Sequence, residues 1–180
     1  MQGTRAQIRD SVEALLRRTE TTTAPVPVER IARYLGAQVT YEPFEGELSG
    51  LLFREEDHIV IGVNASHPKT RQRFTIAHEI GHLCLHSNED IHIDRIYSVH
   101  MRDEKSARAV DPKEIAANAF AAELLMPTEM IRRDVRSSVV DYEDDEVIRY
   151  LADLYAVSLQ AMTIRLTNLG YITPAVDAGG

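Results

Sequence analysis

The feature that most restricts how this chain can fold is a pair of histidines four residues apart, His78 and His82, inside a stretch of helical periodicity. At about 100° per residue the second imidazole is turned only about 40° from the first, so both leave one helix face a turn apart. Two ring nitrogens so placed can reach one ion at about 2.0–2.1 Å. Glu79 completes the pattern H-E-x-x-H. Beside the histidines, its carboxylate can take a proton from a water polarised by the ion rather than bind the ion itself. Ile76, Ile80 and Leu83 occupy the other face and predict that it is packed in the core. Gly81 costs about 1 kcal/mol of helix propensity, which predicts that another backbone approaches closely there. Five residues can match by chance, so the surroundings decide.

A hydrolytic zinc site commonly takes three protein ligands and leaves one position for water. His86, Glu114 and Glu123 are the candidates for the third ligand. His86 is about 80° around the same helix from His78 and points to the flank of the site. The third histidine and the turn glycine of a metzincin would fall at Asn88 and Leu85, which excludes that subclass. Glu114 and Glu123 lie nine residues apart on a downstream helix, about 180° around it, so only one can face the ion. Glu114 shares its face with Ala117, Asn118 and Ala121, small residues that let one helix approach another. Asn118, one turn on, is placed to hydrogen-bond a ligand histidine. The reading is Glu114 as third ligand, in the thermolysin-like arrangement, with Glu123 left to the surface or to helix packing.

Elsewhere the pattern is mixed. Residues 4–19 read as an amphipathic helix (Ile8, Val12, Leu15, Leu16), and 28–35 as a second one closed by Gly36. Alternation at 38–41 and the runs 48–53 and 58–63, which flank a polar turn, predict a small antiparallel sheet with a hairpin. A helix of about four turns follows over 70–85. Residues 87–112 are polar and irregular, with a short strand near 91–93 or 96–101. Further helices are expected over 113–125, 128–135, 146–156 and 159–169. The fold class is therefore α+β: a small antiparallel β-sheet packed on a two-helix metal site, with a helical C-terminal lobe. The boundaries are 1–135 for the metal-bearing domain and 136–180 for the lobe.

Residues 151–166 resemble a helix-turn-helix with Ser158 as the cap of its second helix. That helix begins Leu159, Gln160, Ala161, Met162 and Thr163, which lacks the basic side chains of a DNA-reading helix. The formal net charge of −8 also argues against direct DNA binding. The acidic run 141–146 reads as a solvated flank at a helix start. No apolar run is long enough to cross a bilayer, the first residues lack a signal-peptide pattern, and one cysteine excludes an internal disulfide. A soluble cytoplasmic protein is expected. Cys84, about 120° from the ligand face, is expected to be a buried, inert thiol.

Two longer stretches sharpen the reading. Residues 73–86 (RFTIAHEIGHLCLH) resemble the active-site helix of the ImmA/IrrE family of metallopeptidases. Residues 114–127 (EIAANAFAAELLMP) resemble that family's second signature, E-x-x-A-N-x-F-A-x-x-L-L-M-P. The resemblance covers roughly residues 25–170. It implies a metallo-endopeptidase with Zn²⁺ held by His78, His82 and Glu114, with Glu79 as base, and a protein substrate of the helix-turn-helix repressor class. A site of two histidines and a glutamate also accepts Mn²⁺ or Fe²⁺. Cleavage of an amide further needs a donor for oxyanion charge, and Tyr97, His100 and Arg102 have suitable chemistry. The alternative is a non-catalytic regulatory module that sequesters a repressor or toxin, its metal site structural or vestigial.

Overall fold

The computed structural model describes residues 4–45, 48–55, 58–85, 91–95, 111–137 and 145–172. Helix α1, Arg5–Arg18, starts in a capping box in which the Thr4 side chain accepts from Gln7 N and the Gln7 side chain accepts from Thr4 N. Its apolar stripe of Ile8, Val12, Leu15 and Leu16 is buried throughout, and the helix packs against α4. Helix α2, Val28–Tyr34, ends at Leu35, and Gly36 takes φ +83, the left-handed conformation expected of a residue just past a helix end.

Three strands follow: β1 Ala37–Glu42, β2 Leu48–Glu55 and β3 His58–Asn64. Strands β2 and β3 form the predicted hairpin. The chain runs up β1, returns down β2, and then places β3 in the slot between them, so β1 and β3 are parallel. Strand β4, Ile91–Arg95, adds antiparallel to the other side of β2. The sheet order is β1-β3-β2-β4. The α+β class holds. The sheet, however, is mixed rather than purely antiparallel, because the hairpin's second strand pairs inward with β1.

Helix α3, Lys69–Leu85, lies across β2 and β3. Helix α4, Pro112–Leu125, packs along α3. It opens with Asp111, whose side chain accepts from Lys113 N. The remaining helices are α5 Thr128–Ser137, α6 Asp145–Tyr155 and α7 Leu159–Asn168. Buried apolar residues from α1 through α7 belong to one contiguous core that includes Ile61, Ile76, Ile80, Phe120, Leu124, Tyr155 and Met162. Ser158 caps α7 by accepting from Ala161 N at 3.1 Å. Arg165, the one basic residue of α7, turns inward, which removes it from any DNA-facing surface. Among the described residues, no helix is long and apolar enough to cross a membrane.

Candidate metal centre

The site is built on the contact between α3 and α4, and Gly81 permits that contact. A Cβ at Gly81 would stand 3.1 Å from Ala117 Cα, 3.2 Å from Ala117 O and 3.2 Å from Phe120 Cβ. The helix-propensity cost of this glycine is set against a helix spacing that a Cβ would fit only if α4 gave by a few tenths of an ångström. Ala117 and Ala121 are fully buried in the same seam.

Two clamps fix where α3 begins and how it is turned. Gln72 is buried and its side-chain amide donates to Ala65 O at 3.0 Å and His67 O at 2.9 Å, satisfying carbonyls of the β3–α3 connection. Arg73 donates to Ala156 O at 3.2 Å and Val26 O at 2.9 Å, which ties α3 to the α6–α7 turn and to the segment before α2. Neither clamp follows from helical periodicity, which does not report the distant partners of a polar side chain.

On the face so presented, His78, Glu79 and His82 are 2%, 0% and 1% exposed, unusual for three ionisable groups on one turn. The Nε2 atoms of His78 and His82 are 3.0 Å apart. Glu114 reaches over from α4, with Oε2 at 3.3 Å from His78 Nε2 and Oε1 at 3.3 Å from His82 Nε2. One ligand atom from each of the three falls within 4.8 Å of the others. The edge of a tetrahedron with bonds of about 2.0–2.1 Å is about 3.3 Å long, so the observed spacings fit one small cation. Two imidazoles and one carboxylate form a donor set that suits a divalent metal.

Asn118 lies one turn beyond Glu114, and its Oδ1 is 3.0 Å from His78 Nδ1. With Nδ1–H donating to that amide oxygen, Nε2 is the ring nitrogen turned to the cluster, where its lone pair would serve a bound cation. Burial pushes the Glu114 carboxyl up, but the hydrogen bonds and charge of the two histidines outweigh it and hold the group well below the usual carboxylate range. The carboxylate is therefore ionised at any ordinary pH, the form that can act as an electron-pair donor.

Gly50 on β2 belongs to the same neighbourhood, although the metal motif itself does not point to it. A Cβ there would lie 2.3 Å from Thr75 Cγ2, 2.8 Å from Gly62 O and 3.7 Å from Glu79 Oε1. The strand backbone thus passes directly over α3 beside Glu79. A glycine inside a strand pattern is the signal that could have found it.

Glu123 lies elsewhere. It is buried, accepts from Thr128 N at 2.9 Å and Thr128 Oγ1 at 2.8 Å, and pairs with Arg165 of α7. Arg165 also donates to Met126 O at 3.0 Å. Of the two roles open to Glu123, helix packing is the one seen, with the carboxylate inside rather than on the surface. Breaking a buried pair on one side strands the other charge, so Glu123→Gln should cost about 3–5 kcal/mol. A lowered urea midpoint with an unchanged slope would show it.

Cys84 corrects one expectation: it is exposed, not buried. Desolvation by the surrounding protein, only partly opposed by Arg54, still pushes its thiol up to about 11, away from the thiolate form. His86, Tyr97, His100 and Arg102 lie outside the described residues.

Comparison with known proteins places this geometry. The family profile described as IrrE N-terminal-like domain, a peptidase family, matches residues 32–167. The radiation response metalloprotease IrrE of Deinococcus deserti is 36% identical over 97 residues, covering 53% of this chain and 31% of the relative. The chain thus spans about a third of that relative's length. An uncharacterized immunity region protein 2 of Bacillus phage phi105 is 28% identical over 120 residues, covering 67% of this chain and 68% of the relative. A Mycobacterium tuberculosis transcriptional regulator shares the fold at a TM-score of 0.59 and 18% identity, over 89% of this chain and 46% of that one. A profile match over most of the chain, spanning both helices of the cluster, decides the assignment: this chain belongs to the IrrE N-terminal-like family of metallopeptidases.

Proposed function

We propose that this protein is a zinc-dependent endopeptidase acting on a protein substrate in the cytoplasm, the substrate being a helix-turn-helix repressor. The observation that carries the reading is the convergence of His78 Nε2, His82 Nε2 and the Glu114 carboxylate at 3.0–3.3 Å, with Glu79 buried on the same helix turn. Family membership supports the peptidase assignment. The phage immunity-region relative and the regulator that shares the fold support a repressor as substrate. A single cysteine suits a reducing compartment.

In this reading His78, His82 and Glu114 hold the ion, and Asn118 fixes the His78 ring. When bound, the ion supplies Lewis acidity to the scissile carbonyl and lowers the pKa of the attacking water. Glu79 accepts the proton from that water as it attacks, then passes it to the departing amine. Burial keeps bulk water from competing for that proton and strengthens every electrostatic contact inside the site. Strand β2, passing over Glu79 at Gly50, brings backbone close to the reacting centre without a side chain in the way.

The test is to incubate the purified protein and zinc with candidate repressors, with and without chelator, and to sequence the fragments by mass spectrometry. Two new termini at a fixed bond, abolished by chelator, are expected. A stable complex with intact repressor would instead favour the sequestering module.

A further inference from the structure

The stripe of α3 that carries both histidines begins one turn earlier, at Phe74. Residues 74, 78 and 82 are spaced four apart and share a face, yet their environments differ sharply. His78 and His82 are buried, while Phe74 is 37% exposed. Its ring centroid is 6.2 Å from that of His78, with the planes inclined at 30°. The facing helix shows the same feature. Ile115, immediately after Glu114, is 55% exposed and lies one turn before Asn118, which contacts His78. An exposed apolar side chain is ordinary by itself. Here α3 sets the partly exposed Phe74 ring beside that of His78, and α4 carries the exposed Ile115 next in sequence to Glu114. Fully burying a phenylalanine or isoleucine is worth about 1.5–3 kcal/mol, and the residual exposure of Phe74 and Ile115 leaves part of that gain unrealised in the folded chain. Binding sites commonly combine a few convergent polar groups with apolar walls of this kind.

We propose that Phe74, assisted by Ile115, is a specificity-determining residue: it walls a subsite beside the metal cluster that takes a bulky apolar side chain of the substrate next to the scissile bond. The inference rests on the peptidase reading above. The class of substrate follows from the chemistry of the wall. An aromatic face and a branched aliphatic chain gain by covering Leu, Ile, Met or Phe and offer nothing to a carboxylate or an amide. Phe74 is partly exposed and anchors no backbone, so its replacement is compatible with folding.

The experiment is digestion of a proteome-derived peptide library by the zinc-loaded protein, with cleavage positions read by mass spectrometry. Wild type is compared with Phe74→Ala and Phe74→Leu, and zinc content is measured for each. Wild type is expected to enrich bulky apolar residues at one position beside the cut. Phe74→Ala should relax that preference by at least about tenfold in relative kcat/KM, the scale on which apolar pockets discriminate. Phe74→Leu should keep an apolar preference while shifting it among side chains, and both variants should hold zinc as wild type does. A uniform loss across all peptides, or loss of zinc, would make Phe74 a support for the His78 ring and overturn the proposal. Cleavage by wild type with no apolar preference would overturn it while leaving the peptidase reading intact. No cleavage by wild type would overturn both.

Discussion

Glu79→Gln should bind zinc as wild type does and lose peptide cleavage by about 10²–10⁴-fold, the range that a positioned general base contributes. The substitution keeps the volume and the helix, so a side chain 0% exposed can be replaced without leaving a cavity. What it removes is basicity: an amide oxygen cannot hold the proton of the attacking water. Because Glu79 is not one of the three residues that form the cluster, metal content should be unaffected. Single-turnover cleavage assays alongside elemental analysis separate the two properties. Native cleavage by the variant would reject Glu79 as the base.

Glu114→Ala should fail in the opposite order, losing the metal first. The variant leaves two imidazole nitrogens 3.0 Å apart with their shared anionic neighbour gone. Affinity for zinc should fall by more than the roughly 10–100-fold that a hydrogen-bonding partner of a ligand controls, and Asn118→Ala should fall within that range. Competition against a chromophoric chelator gives both values, and circular dichroism shows whether the helices persist. Equal losses for the two variants would mean that Glu114 acts as a hydrogen-bonding neighbour and not as a ligand.

The parts of this site that were legible in the sequence are those set by spacing along one helix. His78 and His82 share a face because residues four apart must, and Gly81 announced a close approach because little else justifies glycine in mid-helix. Glu114 could be preferred over Glu123 because the small residues around it predicted which face meets the neighbour. Long-range placement was not legible. The parallel pairing of β1 with β3 depends on which edge the β2–β3 hairpin presents, and that choice lies outside any local pattern. Arg73 looks like any helix arginine until Ala156 and Val26 are seen beside it. Gly50 carried a signal, a glycine inside a strand, but only the packing of β2 on Thr75 shows why it is there. The exposure of Cys84 likewise depends on tertiary packing, which helical angles do not report.

The most direct test is a crystal of the zinc-loaded protein with anomalous data collected on both sides of the zinc edge. One strong peak is expected within about 2.0–2.2 Å of His78 Nε2, His82 Nε2 and a Glu114 oxygen, with Glu79 close by but outside bonding distance. A peak elsewhere, or one bonded to the histidines with Glu114 turned away, would contradict it.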